Sequence, residues 1–269
     1  MDPSELIRTA LARAMEVYRE LERKGTAAQR VRRGGFGDMA TVADLVCEEA
    51  IMRELSKSID LRRCTVVAEE SGIIRAEQED LVVLIDPVDG STNMRRKLRH
   101  FGAGIAISSS QRFKDVFAAG VLDFYSGELV LAGDDGVELP EGASGPSDVE
   151  DLRESVVSLD FRAAKRGPRD AERYLAILRN LKHIRNLGSS LVELEQIALG
   201  VLDAYICLTP EMRVFDIVPG MYVLKRLGCP LWTGGTDPEG MELVTRNRYP
   251  LIATSNARLM QQILAVVGA

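Results

Sequence analysis

One stretch limits what this chain can become: Leu81-Val82-Val83-Leu84-Ile85 runs without a break into Asp86-Pro87-Val88-Asp89-Gly90-Ser91-Thr92-Asn93. Five consecutive apolar residues, all leucine or β-branched, predict a strand of the kind that lies inside a sheet covered on both faces. Pro87 fixes its own φ and withholds an N–H from the ladder, which predicts that pairing stops there. Asp86 and Asp89 then stand at the mouth of the sheet, on a turn whose Gly90-Ser91-Thr92 backbone can face a ligand. Two like charges so close repel, and one is protonated unless a cation lies between them. Oxygen donors without cysteine or histidine suit Mg²⁺ or Mn²⁺. Taken alone, the stretch reads equally well as a strand and an Asx-type turn, in which aspartate, proline and glycine are all common.

The chain around it has 269 residues, enough for one large domain or two packed ones. A net charge of −6 gives no reason to expect nucleic acid or an anionic membrane as partner. Basic residues cluster only locally, at Arg30 to Arg33, read as a solvated loop, and at Arg95-Arg96-Lys97 with Arg99. Cys47, Cys64, Cys207 and Cys229 are far apart and lack metal-site spacing, so reduced, buried thiols are expected. With no signal-type apolar segment and no apolar run near ~18 residues, a soluble cytoplasmic protein is expected.

Asp2-Pro3-Ser4-Glu5 opens a helix, continued by Ile7, Leu11, Ala14, Tyr18 and Leu21 on one stripe and stopped at Gly25. Residues 25 to 40 are glycine-rich and aperiodic, which predicts a loop. Thr41 begins a second helix, with Asp44 placed as the third residue of a capping box; Asp44 is therefore accounted for by helix capping alone. Thr65 to Ala68 is a short strand ending in Glu69-Glu70. If it neighbours the strand 81–85, the carboxylates at the two strand ends converge. Strands follow at 102–107 and 116–122, with a hairpin through Gly133-Asp134-Asp135-Gly136. The clearest linker is 140–147, which divides residues 1–143 from 144–269. The second half alternates strands and helices: a strand at 156–159, a helix at 169–181, a turn at Gly188-Ser189-Ser190 into a helix at 191–199, a strand at 204–208, a helix from Phe215 to Leu227, and a final strand and helix. That alternation predicts an α/β architecture.

With Glu69-Glu70, then Asp86-Pro87-Val88-Asp89-Gly90-Ser91-Thr92-Asn93, then Phe215-Asp216-Ile217-Val218-Pro219-Gly220 in this order, the chain resembles the inositol monophosphatase family. These are Mg²⁺-dependent, lithium-sensitive phosphatases whose superfamily includes the fructose-1,6-bisphosphatases, and the likeness extends from Thr41 to the last helix. It implies the sugar-phosphatase fold, α/β (α+β), a layered αβαβα sandwich of two packed subdomains. Residues 1–143 would carry most metal ligands, and 144–269 would complete the metal and substrate site. It also implies a homodimer. Carried over residue by residue, Glu69, Asp86 and the Val88 carbonyl match the ligands of one metal. Asp86, Asp89 and Asp216 match those of a second, and a third, weaker ion sits near Glu69. The cofactor implied is Mg²⁺, two or three ions, with Mn²⁺ as a substitute. Ser91 and Asp44 match a catalytic hydroxyl and the aspartate that accepts its hydrogen bond. The amides of Gly90, Ser91 and Thr92 match a phosphate-binding helix start, and Gly188, Ser189 and Ser190 match the turn that lines the substrate pocket. Arg185 is expected to approach from the second half. Phe215 stands where the family usually has tryptophan. Thr209 stands where an acidic residue often meets inositol hydroxyls, which weakens an inositol preference.

The activity implied is Mg²⁺-dependent hydrolysis of small sugar or polyol phosphate monoesters, inositol 1-phosphate or fructose 1,6-bisphosphate, by direct attack of water. Glu69, Ser91 and Asp44 would orient the water, and the arm Arg95 to Arg99 would reach a second phosphate. Two other readings share the motifs: a phosphatase of 3′-phosphoadenosine 5′-phosphate, and a catalytically silent, metal-binding regulatory subunit. The second expects a missing ligand, and none is missing.

Overall fold

A computed structural model describes residues 2–162, 167–235 and 237–268. The chain opens with α1 (Pro3–Arg23), whose first turn is capped by Asp2 and begun by Pro3. The exposed strand β1 (Arg30–Arg33) pairs antiparallel with β2 (Met39–Thr41), which leads into α2 (Val42–Leu55). The expectation of a loop over 25–40 is thus corrected. The four arginine-rich residues do stay solvated, but as an extended ribbon whose ladder supplies the pattern their side chains lack.

A seven-stranded sheet follows, from β3 (Cys64–Ala68), β4 (Gly72–Ile74), β5 (Leu81–Asp89), β6 (Gly102–Ser108), β7 (Val116–Asp123), β8 (Leu129–Gly133) and β9 (Gly136–Glu138). Their order is β4-β3-β5-β6-β7-β8-β9. β3 and β5 are parallel, with Ala68 beside Ile85, and β5 and β6 are antiparallel. Between β5 and β6 the short helix α3 (Ser91–Arg96) makes the turn. Pairing does not stop at Pro87: β5 continues to Asp89, with a register irregularity between Asp86 and Asp89. The missing N–H is absorbed in a bulge, one of the few places a sheet tolerates proline.

The second sheet is built from β10 (Val156–Leu159), β11 (His183–Arg185), β12 (Ala204–Met212), β13 (Leu231–Trp232) and β14 (Tyr249–Thr254), in the order β11-β10-β12-β14-β13. Helices α4 (Pro168–Leu178) and α5 (Ser190–Ala198) are the crossovers of its parallel strands β10, β11 and β12; α6 (Val214–Arg226) and α7 (Ala257–Val267) complete the set.

Three apolar cores separate five layers. Val83, Ile85 and Ile105 face Leu11, Ile51 and their neighbours on α1 and α2. The alternate residues Val82 and Leu84 face α5 and α6, which also cover Tyr205, Cys207 and Leu251 of the second sheet. The outer face of that sheet, Val157, Ile206 and Ile252, packs on Tyr174 of α4 and Ile263 of α7. The two-sided burial of 82–85 has this cause: the sheet has helices on both sides. The layering is the expected αβαβα sandwich. All four cysteines are free and buried. Among the described residues, no helix is long and apolar enough to cross a membrane.

Candidate active site

Parallel pairing of β3 and β5 brings their carboxyl ends to one edge, and the Glu69 N–H donates to the Ile85 carbonyl at 3.3 Å. Glu69, Asp86 and Asp89 therefore meet at the mouth of the large sheet, where Asp216 joins them from the first turn of α6. All four line one cleft of about 440 Å³, with Val88, Gly90, Ser91 and Thr92 on one wall. Gly90 adopts φ 87 as it turns the chain from strand into α3, a conformation natural to glycine.

Helix starts crowd the same place. Asp89 Oδ2 accepts from the Ser189 hydroxyl at 2.8 Å and from the Leu191 N–H at 2.6 Å, so a carboxylate of one sheet caps the helix lying between the two. Asp216 Oδ2 accepts from the Arg213 N–H at 2.8 Å, closing the start of α6. Asp44 Oδ2 accepts from the Thr41 N–H at 2.6 Å and from the Thr41 hydroxyl at 2.8 Å. The capping box read from the sequence is present. These carboxylates sit where helix dipoles favour negative charge.

Dipoles do not compensate the whole cluster. Burial, and then the charges of Asp216 and Asp44, hold the Glu69 carboxyl well above its ordinary range. Burial and then Glu69 do the same to Asp86. Asp89 is pushed up to about 7 by burial and Asp216, against its hydrogen bonds from Leu191 and Ser189. Asp216 is raised by burial, with Arg213 pulling the other way.

Arg213 is the cation nearest this cluster. Its guanidinium is 3.0 Å from Glu69, ion-paired to Asp38, and set against the rings of Phe36 and Phe215 at 5.9 and 5.5 Å. Phe215 is fully buried and stacks edge-on with Phe36 at 4.9 Å, so the phenylalanine ring packs at this position. The β1–β2 hairpin is held over the cleft edge by this contact and by a very close backbone approach. A Cβ on Gly35 would lie 2.3 Å from the Gly72 nitrogen.

Among the described residues, no group of three or more acidic, histidine or cysteine side chains is gathered so that it could hold a metal ion as it stands. The reason is visible in the contacts: Glu69 is turned to Arg213, Asp89 to the start of α5, and Asp216 to the start of α6. The donor set nevertheless fits a hard divalent cation. It offers carboxylate oxygens, with a backbone carbonyl at Val88, and its mutual repulsion is what such an ion relieves.

Other expected residues divide. Gly188 and Ser190 line the cleft, and Ser189 bonds to Asp89. Asp44 lies behind the lining, and no hydrogen bond joins it to Ser91; its Oδ1 is buried without a partner. Arg185 is not brought in: it is exposed on β11, its guanidinium donating to the Ile184 carbonyl. β11 is the edge of the small sheet, and its side chain leaves toward solvent. Of the basic arm only Arg95 lines the cleft, because α3 and the turn after it carry the rest away. Thr209 is buried with an unpartnered hydroxyl and does not line the cleft, so substrate choice cannot be read from it. Residues missed by sequence reasoning stand in these places: Arg162, Arg213 and Arg248, with Asp160 and Glu193. Arg162 is gripped by Asp160 through Nε and Nη2, while Arg248 donates to the Glu211 carbonyl at 2.5 Å. Isolated arginines far apart in sequence leave no local pattern, although Arg213 stands three residues before Asp216, beside the Phe215-Asp216-Ile217-Val218-Pro219-Gly220 motif.

A family model described as the inositol monophosphatase family matches residues 2–268. A fructose-1,6-bisphosphatase/inositol-1-monophosphatase of Archaeoglobus fulgidus is 28% identical over 97% of this chain and 98% of its own length. The Nus factor SuhB of Escherichia coli is 27% identical over 86% of this chain and 83% of its own. Among solved structures, an inositol monophosphatase–fructose 1,6-bisphosphatase superposes with a TM-score of 0.81 at 20% identity, covering 99% of this chain and all of that one. The extragenic suppressor protein suhB of Bartonella henselae gives 0.78 at 21% identity, covering 97% and 98%. At that identity the structures show the fold.

Proposed function

The chain belongs to the inositol monophosphatase family and is a phosphoric monoester hydrolase; on that premise we propose that it hydrolyses small sugar or polyol phosphate monoesters in a Mg²⁺-dependent reaction, inositol 1-phosphate and fructose 1,6-bisphosphate being its substrates. The observation that carries this reading is the convergence of Glu69, Asp86, Asp89 and Asp216 on one cleft beside the Gly90-Ser91-Thr92 turn. Glu69, Asp86, the Val88 carbonyl, Asp89 and Asp216 are the residues that would hold the two or three Mg²⁺ ions. When bound, such ions neutralise the phosphoryl oxygens, acidify a water and stabilise the leaving alkoxide.

The chain's own residues supply orientation. The amides of Gly90, Ser91 and Thr92 receive the phosphate oxygens, and the turn 188–190 closes the other side. Glu69 and the Ser91 hydroxyl orient the attacking water, and water attacks the phosphorus directly, with no phosphoenzyme. Asp44 Oδ1, buried without a partner, is the acceptor we assign to the Ser91 hydroxyl on substrate binding, which would leave the hydroxyl's lone pair turned to that water. Arg95 and Arg248 line the same cleft without a carboxylate partner among the described residues. They suit a second phosphate, for which arginine offers paired donors. We place the protein in the cytoplasm as a homodimer, with residues 1–143 and 144–269 as its two subdomains.

The test is phosphate release by metal-stripped protein on fructose 1,6-bisphosphate, inositol 1-phosphate and 3′-phosphoadenosine 5′-phosphate, before and after Mg²⁺ is restored. Release that is unaffected by chelation would remove the metal assignment. Turnover of the nucleotide alone would move the substrate to the competing phosphatase reading, and no turnover of any ester would favour the silent subunit.

A further inference from the structure

A second hollow, of about 620 Å³, lies beside the cleft and is not used by the proposed reaction. The two share a wall. The first turn of α3 lines the cleft, Met94 and the Lys97 that ends the helix line the hollow, and Arg95 lines both. The floor of the hollow is aromatic: Tyr18 meets Phe101 at 5.2 Å and Phe124 at 5.4 Å, all three buried. Around it stand Arg19, Arg95, Lys97 and Arg99. None of these four cations forms an ion pair among the described residues, whereas Arg62, Arg63, Arg153 and Arg162 elsewhere each hold a carboxylate. The one acid in the lining, Glu22, is taken by the Tyr18 hydroxyl at 2.9 Å. On the rim Arg99 stacks at 5.0 Å on the ring of Tyr125, which is half exposed.

A hollow of this size, with an apolar aromatic floor and a few convergent polar groups, has the make-up of a small-molecule site. Its charge is one-sided, so the ligand is an anion, and arginines recognise phosphates through paired, charge-assisted hydrogen bonds. The floor, and the exposed ring of Tyr125 beside a guanidinium, favour a flat ring on the same molecule. We propose that this hollow binds a ring-bearing organic phosphate of the nucleoside diphosphate kind, at a site separate from the cleft. The inference uses none of the carboxylates and shares only Arg95 with the catalytic reading. Arg95, present in both walls, makes occupation of the hollow felt at the phosphate turn.

The experiment is calorimetric titration of the metal-free full chain with ADP, with pyrophosphate (charge without ring) and with adenosine (ring without charge). ADP should bind at one site per chain, and each fragment should bind at least about tenfold more weakly, as expected when ring and charge both contribute. Arg19 and Arg99 are exposed, so Arg19→Ala/Arg99→Ala should fold; it should lose about tenfold or more in ADP affinity, through two lost charge-assisted contacts. Asp86→Asn, in the cleft, should leave that affinity unchanged. Several results would each overturn the proposal: no ADP binding, ADP affinity untouched by the double substitution, or ADP affinity lost in Asp86→Asn instead. Sedimentation gives a fourth. If the double substitution converts a dimer to a monomer and ADP does not bind the dimer, the hollow is covered by a second copy and is no ligand site.

Discussion

Glu193 offers the clearest test of how the cleft wall is held. It lies in the first turn of α5, buried, and its Oε1 accepts from the Ser158 hydroxyl and from the Leu187 N–H at 3.1 Å. Burial outweighs those two bonds and lifts its carboxyl from 4.5 to about 7. That rise corresponds to ~3 kcal/mol favouring the protonated form in the folded state. The folded chain therefore binds more protons than the unfolded one between the two values, and stability falls as pH rises. The contribution is complete below the unfolded value and lost as pH passes through the folded one, about 7. Glu193→Gln keeps the Oε1 acceptor and cannot ionise, so it should match wild type near about pH 4.5 and exceed it by up to ~3 kcal/mol above about pH 8. In a chain of this size that is a melting-point gain of roughly 5–10 °C. Denaturant melts with chelator present, at both pH values, measure it. A difference between the two proteins that does not change with pH, or a glutamine variant weaker at both, would refute the reasoning.

Asp86→Asn should lower kcat by at least about 10²–10³-fold, the scale of losing one preorganised charge-stabilising group, while raising metal-free stability because it removes a buried charge from the carboxylate cluster; turnover near wild type would end the metal-ligand assignment. Asp44→Ala should lower both stability, by the ~0.5–2 kcal/mol of a lost cap, and kcat; an unchanged kcat would leave Asp44 as a cap and nothing more. Gly35→Ala places a Cβ 2.3 Å from the Gly72 nitrogen, so the β1–β2 hairpin should detach, seen as faster proteolytic cleavage within 30–38 and a lower melting point, and a variant as resistant as wild type would show that the close approach is dispensable.

The parts legible in the sequence are those set by local rules. Residues 81–85 announced a strand covered on both faces, and the carboxylates after it converge with Glu69 because two short strands pair in parallel. The Thr41–Asp44 capping box and the hairpin at 133–136 were legible for the same reason, since each depends on residues within a few positions of one another. What escaped depends on packing across the chain. Pro87 breaks a ladder by rule, yet neighbouring bonds on β6 carry the strand past it. Arg30 to Arg33 have no alternation, because an exposed ribbon has no core side to mark. Arg185 sits beside the right turn in sequence, but on an edge strand facing solvent. Arg162, Arg213 and Arg248 reach the cleft from separate elements of the second half, and only the fold gives them a common address.

The bonds that assemble the cleft also say when it can exist. Asp89 reaches Ser189 and Leu191 across 100 and 102 positions, and Glu69 reaches Arg213 across 144. Contacts of such separation carry the largest loop-closure cost and form late, after local helices and hairpins. During synthesis the first half of the chain emerges with Glu69, Asp86 and Asp89 already in it, but without the α5 start or the Arg213 charge that later meet them. For that interval three carboxylates at the end of a nascent sheet face only water and ions. A nascent chain halted near Ser155 should therefore bind divalent cation more weakly than the finished protein, which adds Asp216 to the same cleft, and metal titration of the two compares them.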